Sequence, residues 1–327
     1  MPSYSGVWTL TAVFQALGQG LWPPPLAGDI AIFSGGFVAG GSRQNKLDYV
    51  TITTTGNATD FGSLVRALAD LGSCSSSTRG LFGLGEASDP VESRTNSVSY
   101  VTITTKGNSV DFGQLTTPRN RVHAACSNST RGIWAGGYDT GNVLLNVMDY
   151  MTIATTGNGS DFGDLISPVI DMAGCSSTTR GVFGGGVGSS STNVIQYVTI
   201  ASVGNALDFG DLSSTAFFWC GSCSSSTRGL FAGGLSPGVA VYNTIEYITI
   251  ASTGNSTDFG DLTVSRYGLS GTSNATRGIF GGGDIDSGLS NVIDYVTIAS
   301  TGNAADFGDL TIARYALGAC SNAHGGL

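Results

Sequence analysis

The sequence predicts an all-β chain that closes into a six-bladed β-propeller behind a short N-terminal arm, on three observations. One phrase recurs six times, at residues 47–61, 98–112, 148–162, 195–209, 245–259 and 293–307. The aspartates that mark it, Asp60, Asp111, Asp161, Asp208, Asp258 and Asp306, lie 51, 50, 47, 50 and 48 residues apart, the period of a propeller blade rather than of a helical solenoid. Each copy reads as short apolar or β-branched runs separated by Gly, Asn and Ser clusters, the pattern of strands and turns. Finally, the two ends of the repeating region hold complementary parts of one copy.

In the copy that starts near Arg266, residues 267–273 are a first strand, Asn274-Ala275 a turn, and Gly278-Ile279-Phe280 a second strand ending in glycines. Residues 291–299 are the third strand, β-branched on both faces as expected of a sheet covered on both sides. Asp306 to Leu310 opens the fourth. The first copy begins at a second strand, residues 30–36, and the chain stops at a first strand, residues 315–322. Joining these completes blade one and removes the open sheet edges. Residues 28–327 are therefore the propeller and residues 1–27 the arm.

Composition narrows the function classes. The chain has 50 glycines, 41% apolar residues and 11% charged residues, which marks many tight turns around a real core rather than disorder. With 14 basic and 23 acidic residues, and only Lys46 and Lys106 as lysines, no basic stripe for nucleic acid exists. The first 28 residues carry no charge, so the basic flank of a secretory signal is missing, and no apolar run reaches the ~18 residues of a membrane span. Cys74, Cys126, Cys175, Cys223 and Cys320 share one repeat position, with Thr272 in the sixth copy and Cys220 out of phase. Equivalent positions around a ring stay too far apart for disulfides, so these read as small buried thiols.

No catalytic residue, cofactor site or metal site is expected. The six Asp-Phe-Gly triplets lack the Gly-rich loop, strand lysine and catalytic-loop Asp of a kinase. The repeated aspartates and the repeated Arg79, Arg131, Arg180, Arg228 and Arg277 fall on turns of one face, where they are expected to pair as a structural network. Calcium at Asn-x-x-Asp-Phe-Gly-Asp is the weaker alternative, because the oxygens suit the ion and the spacing does not. A thiol ring holding a soft metal is broken by Thr272, and Cys220-Gly221-Ser222-Cys223 has no second pair. His123 and His324 are the only histidines and occupy non-equivalent positions, so no Ser-His-Asp site can be assembled. The loops between second and third strands differ among copies: 86–96 is charged, 138–145 aromatic and apolar, 235–242 apolar. One connection on the same face carries Phe217-Phe218-Trp219. Variation on a constant scaffold marks this as the binding face, with Tyr138, Phe217, Phe218, Trp219 and Tyr242 as candidate contacts.

The order of a small strand, a turn, a strand ending in Gly-Gly, a Tyr-bearing strand and an aromatic fourth strand resembles the kelch repeat over residues 28–327. It departs at Leu84-Gly85, where one paired glycine is lost, and in carrying Phe rather than Trp on the fourth strand. The run Tyr-Val-Thr-Ile-Ala-Ser-Thr-Gly-Asn-Ala-x-Asp-Phe-Gly-Asp-Leu, followed by Thr-Arg-Gly-x-Phe-Gly-Gly-Gly, is similar to kelch-like repeats of virion proteins from tailed bacteriophages of marine and cyanobacterial type. The opening Gly6-Val7-Trp8-Thr9-Leu10 and Trp22-Pro23 are similar to leader segments of such proteins. The resemblance implies a non-enzymatic structural or adhesion component, in several copies, of a virion assembled in the host cytoplasm. Its partners would be other virion proteins, reached through the arm by Trp8, Phe14 and Trp22, with residues 9–18 as a short helix. A receptor-binding module for a host-surface glycan is the alternative. Neither nucleic acid nor membrane insertion is implied.

Overall fold

The computed structural model describes residues 26–327 apart from 89–92, 215–216, 237, 239 and 286. The arm expected at residues 1–27, with its helix and its contacts Trp8, Phe14 and Trp22, lies outside the described residues but for 26 and 27. Everything described is strand, turn or loop, and none of it is helix. Five four-stranded antiparallel sheets and the first four strands of a six-stranded one, counted outward from the axis, form six blades. Blade two is typical: Gly72–Ser75, Arg79–Gly83, Ser97–Thr102 and Val110–Gln114. The last strand of the chain, Gly318–Ser321, pairs with Ile30–Ser34 in the register Ala31↔Ser321 to Ser34↔Gly318. It is the innermost strand of blade one and closes the ring as the sequence predicts.

The core lies between blades rather than inside a single layer. Between blades six and one, for example, Ile279, Ile293, Phe307 and Leu310 pack against Ala31, Phe33, Val50 and Ile52. The Phe of each Asp-Phe-Gly sits on a β-bulge; in blade one the register steps between Leu47↔Gly62 and Asp48↔Asp60. The extra residue turns the Phe inward, where it meets the third-strand Tyr edge to face, at 5.5–6.1 Å between centroids in all six blades.

Neighbouring blades are stitched by the same motif. The Gly of each Thr-Gly-Asn or equivalent turn donates its N–H to the Phe carbonyl of the preceding blade, as Gly204 to Phe162 and Gly302 to Phe259 at 2.7 Å. The following Asn accepts, at Oδ1, the amide three residues after the repeated Asp: Asn57 from Asp309, Asn108 from Ser63, Asn158 from Gln114, Asn205 from Asp164, Asn255 from Asp211 and Asn303 from Asp261, all at 3.0–3.1 Å. The bulge glycine allows this contact, since a Cβ on Gly62 would strike the carbonyl of Gly107.

The lost glycine at Leu84 has a visible consequence. The equivalent Gly35, Gly136, Gly185, Gly233 and Gly282 have φ between 63° and 72°, and Leu84 is held at 61° while fully buried. A left-handed conformation costs a branched side chain of order 1–3 kcal/mol, offset here by burial of the leucine. Deleting residues 315–327 should leave the inner edge of Ile30–Ser34 open and abolish the cooperative melt; an unchanged transition by circular dichroism would contradict closure by this strand.

Candidate functional site

The face formed by the one-to-two and three-to-four turns is constant, and its arginines do not pair with the repeated aspartates. Arg79, Arg131, Arg180, Arg228 and Arg277 each lie over the third-strand Tyr of their own blade, 4.6–4.7 Å from the ring centroid. Each also donates to a carbonyl at the end of the next blade's third strand, at 2.9–3.2 Å: Arg79 to Ile153 and Ala154, Arg131 to Ile200, Arg180 to Ile250, Arg228 to Ile298, Arg277 to Ile52 and Thr53. Asp60, Asp111, Asp161, Asp208, Asp258 and Asp306 are all exposed, and of these Asp60 meets Lys46 at 3.1 Å. The expected ion-pair network is thus replaced by stacking and backbone capping. A strand-end carbonyl fixed in place outcompetes an exposed carboxylate for a guanidinium already held flat on a ring. Blade one has Ile30 at the arginine position, and Lys106 from the neighbouring turn covers Tyr49 instead, 4.5 Å from its centroid. Burial opposes ionisation of Tyr49, yet hydrogen bonds from Lys106 and Thr59 bring its phenol below its ordinary range.

Around the axis the first strands close a circle of hydroxyls. Ser75, Ser127, Ser176, Ser224, Ser273 and Ser321 each donate Oγ–H to the backbone carbonyl of the preceding member, at 2.5–2.8 Å, and Ser75 returns to Ser321. The cysteines alternate with them and point the other way. A Cβ on Gly80, Gly132, Gly181, Gly229 or Gly278 would strike the sulfur of Cys320, Cys74, Cys126, Cys175 or Cys223, so each thiol fills the space a glycine leaves in the next blade. The sixth copy changes both partners: Thr272 replaces Cys, and the blade after it carries Ala31 at the glycine position. All six cysteines are unpaired and buried; burial pushes their thiols up, that of Cys175 to about 12. Packing between blades, not a ring for metal, explains the repeated position.

His324 plugs the channel at the constant face. Its Nε2 lies 3.2 Å from both the Ser75 carbonyl and Ser127 Oγ, and Gly326 donates its N–H to Nδ1 at 3.1 Å, which makes the Nε2–H tautomer the one that fits. Burial pushes its imidazolium down to about 4. The following Gly325 and Gly326 cross the channel so closely that a Cβ on either would strike the carbonyls of Ser225 or Ser127. His324 is therefore a structural plug.

The opposite mouth of the channel is chemically asymmetric. Just before each first strand one residue is left-handed: Asp70, Arg121, Asp171, Trp219, Gly268 and Ala316, with φ between 54° and 63°. Backbone hydrogen bonds of 2.7–3.3 Å run around this circle, Asp70 to Ala316, Val122 to Asp70, Asp171 to Arg121, Trp219 to Asp171, Gly268 to Trp219 and Ala316 to Gly268. Five non-glycine residues in this conformation concentrate strain at one place, a signature of binding sites. Arg121 pairs with Asp171, and His123 lies between two carboxylates, Nδ1 3.4 Å from Asp171 and Nε2 3.7 Å from Asp70. Burial pushes the Asp70 carboxyl up to about 6; Asp171 and Glu86 add to this, while His123 and Arg121 oppose it. Trp219 is stacked between Phe218 at 5.4 Å and Tyr267 at 5.5 Å, with Arg121 4.9 Å from its ring.

These contacts revise the candidate platforms. Phe217 is 2% exposed within the core between blades four and five and is no surface contact, because its place on the connection faces inward. Phe218 is buried, and both faces of Trp219 are occupied. Tyr138, with Arg94 and Arg121 at 5.8 and 5.9 Å from its ring, and Tyr242 are half-buried on this face.

Three fully buried ion pairs escaped the sequence reading: Arg119–Asp149 at 2.8 Å, Arg266–Asp294 at 2.9 Å and Arg314–Asp48 at 3.0 Å. Each Arg sits on the connection into a blade and each Asp on that blade's third strand. Burial lowers the arginines' affinity for their protons and the aspartates counter it. The signal was present in the repeats. Where the connection carries Leu68, Val169 or Phe217 instead of Arg, the third strand carries Ser99, Gln196 or Glu246 instead of Asp. No protein-family model matches the chain, and no curated protein matches its sequence.

Arg266→Met should leave Asp294 charged and buried and cost about 3–5 kcal/mol. Installing the blade-four pair, Arg266→Val with Asp294→Gln, should recover most of that loss in a denaturant melt. A second expectation concerns His324. Its folded value lies below the ordinary 6.5, so its neutral ring contributes fully above that pH, and the contribution is lost as pH falls toward 4. Asp70, raised from 3.8 to about 6, acts in the opposite sense, its contribution fading as pH rises through 6. The stability difference between wild type and His324→Gln should therefore shrink steadily from pH 7 to 4, and a constant difference would contradict the plug.

Proposed function

We infer that the chain is a non-enzymatic structural or adhesion component of a tailed-phage particle, present in several copies, that docks through residues 1–27 and presents the variable face outward. The observation that carries this reading is the division of the propeller. One face is saturated by repeated arginine, asparagine and serine contacts and closed by His324, which leaves little for a partner to exchange. The other concentrates strained backbone, carboxylates and half-buried aromatics at one mouth. The likeness of the repeats to kelch-like virion repeats supplies the particle.

The alternative, recognition of a host-surface glycan, is supported by the mixture of buried donors and acceptors there without hydrogen-bond partners, Trp219 Nε1 and Arg121 Nε beside Asp70 Oδ1 and Asn120 Oδ1. Such a mixture suits hydroxyl groups. A chain lacking residues 1–27 should fold as a propeller yet fail to enter particles in a complementation assay. Normal incorporation would refute docking through the arm, and glycan-array binding by the intact chain would favour the alternative.

A further inference from the structure

Two ring nitrogens and two carboxylate oxygens at the variable mouth make no hydrogen bond, yet they face one another in pairs. His123 Nδ1 lies 3.4 Å from Asp171 Oδ1, and Nε2 lies 3.7 Å from Asp70 Oδ1. Asp70 is 5% exposed and Asp171 1%, so bulk water solvates neither carboxylate. Buried polar atoms left in this state call for a physical reason.

The number of protons decides whether the arrangement is favourable. A neutral imidazole carries one N–H and one lone pair, so in either tautomer one nitrogen turns its lone pair toward a carboxylate oxygen. One further proton, on the ring or on Asp70, makes both contacts donor to acceptor. Charge leads to the same count. Asp70 and Asp171 have one cation between them, Arg121, which pairs with Asp171, while Glu86 is matched by Arg43 at 2.5 Å. The added proton brings the buried group to neutrality, and its loss leaves a charge uncompensated.

These side chains sit where the backbone circle is most extended. Asp70, His123 and Asp171 lie on the connections into blades two, three and four, and the circle's two longest hydrogen bonds join the same connections, Val122 to Asp70 at 3.3 Å and Asp171 to Arg121 at 3.2 Å. Trp219, next in the circle, meets the His123 ring edge to face at 6.2 Å. We propose that a proton held between Asp70 and His123 latches the variable mouth, and that the mouth loosens when this proton leaves. The proton belongs to the pair rather than to either residue. This rests on the mouth alone and holds whichever body the propeller belongs to.

The Asp70 carboxyl gives the direction and the window. Burial is the main cause that raises it from 3.8 to about 6, so the contribution of the proton is full below 3.8 and is lost as pH rises through 6. The groups that face the pair are Glu86 with Arg43, Arg121, Asp171 and Tyr315. The Tyr315 phenol is itself raised, by burial and then by Asp70, Asp284 and Glu86, and stays protonated across this window.

Amide hydrogen exchange of the full chain at pH 5 and pH 8, corrected for intrinsic rates, tests the latch. His324 changes charge near 4, so the plug stays neutral at both. Protection of the Val122, Asp171 and Trp219 amides, relative to the rim amides of Gly204 and Gly302, should fall about tenfold between the two, the factor for a group one unit below its folded value. Asp70→Asn should keep the pH 5 ratio at both, because its amide donates to His123 Nε2 without an extra proton, and asparagine tolerates the left-handed backbone of this position. In the wild type the imidazole nitrogen resonances of His123, told apart from those of His324 with the His324→Gln variant, should move over the same pH range as the protection. This arm decides the matter if Asp70→Asn does not fold. A mouth-to-rim ratio equal at pH 5 and pH 8, the same pH dependence in folded Asp70→Asn, or His123 resonances unchanged over the range would overturn the proposal.

Discussion

Six blades must close on themselves without slack, and the molecule meets that constraint by repeating its inter-blade contacts around the ring. At the axis the contact is a serine hydroxyl on the neighbouring carbonyl. On the constant face, in every blade but blade one, it is an arginine flattened on its own tyrosine and capping the next blade. At the rim it is the turn asparagine and glycine on the preceding fourth strand. Because the serine circle includes Ser321 and the rim contacts include Asn57 with Asp309, the first and last strands of the ring are held at more than one radius. A ring also fixes the spacing between blades. The exchange of Cys and Gly for Thr272 and Ala31 at one interface keeps that spacing, as close-packed interiors require.

Such saturation separates the two faces. Repeated donors and acceptors on the constant face are consumed by neighbouring blades, and His324 with Gly325 and Gly326 fills the channel end. At the other mouth the backbone circle is equally regular, but its six side chains are Asp, Arg, Asp, Trp, Gly and Ala. The scaffold therefore holds unlike chemistry at equivalent points, on backbone that is left-handed at five non-glycine residues. The Asp70 carboxyl there is tuned by burial and by neighbours from different blades, so its behaviour belongs to the assembly and not to any single repeat.

The buried Arg–Asp pairs show a second use of repetition. Blades one, three and six take the ionic solution, while blades two, four and five place Leu68, Val169 or Phe217 in the same space. In blades two and four the acid is lost along with the arginine, which avoids a buried charge without its partner; in blade five Glu246 keeps a buried carboxylate, and Ser213 and Ser256 donate to it in place of an arginine. Asp294 also accepts from Thr263 of the preceding blade, through both Oγ1 and the amide, so the pairs join blades as well as filling them.

The sequence by itself determined the architecture: the ~50-residue period, the strand and turn chemistry of each copy and the complementary ends require six blades and a C-terminal closing strand, because these depend on local propensity and on counting. It also marked the arginines, cysteines and asparagines as repeated and the second-to-third-strand loops as variable. What those residues touch was decided only in the tertiary structure. Arg277 meets Ile52 across 225 residues, and Asp70, His123, Asp171 and Trp219 come from four connections that local spacing does not relate. Exposed aspartates looked like the natural partners of the arginines on charge alone. The folded ring instead offers fixed carbonyls and tyrosine faces at shorter range, and desolvated, preorganised contacts prevail over solvated ion pairs.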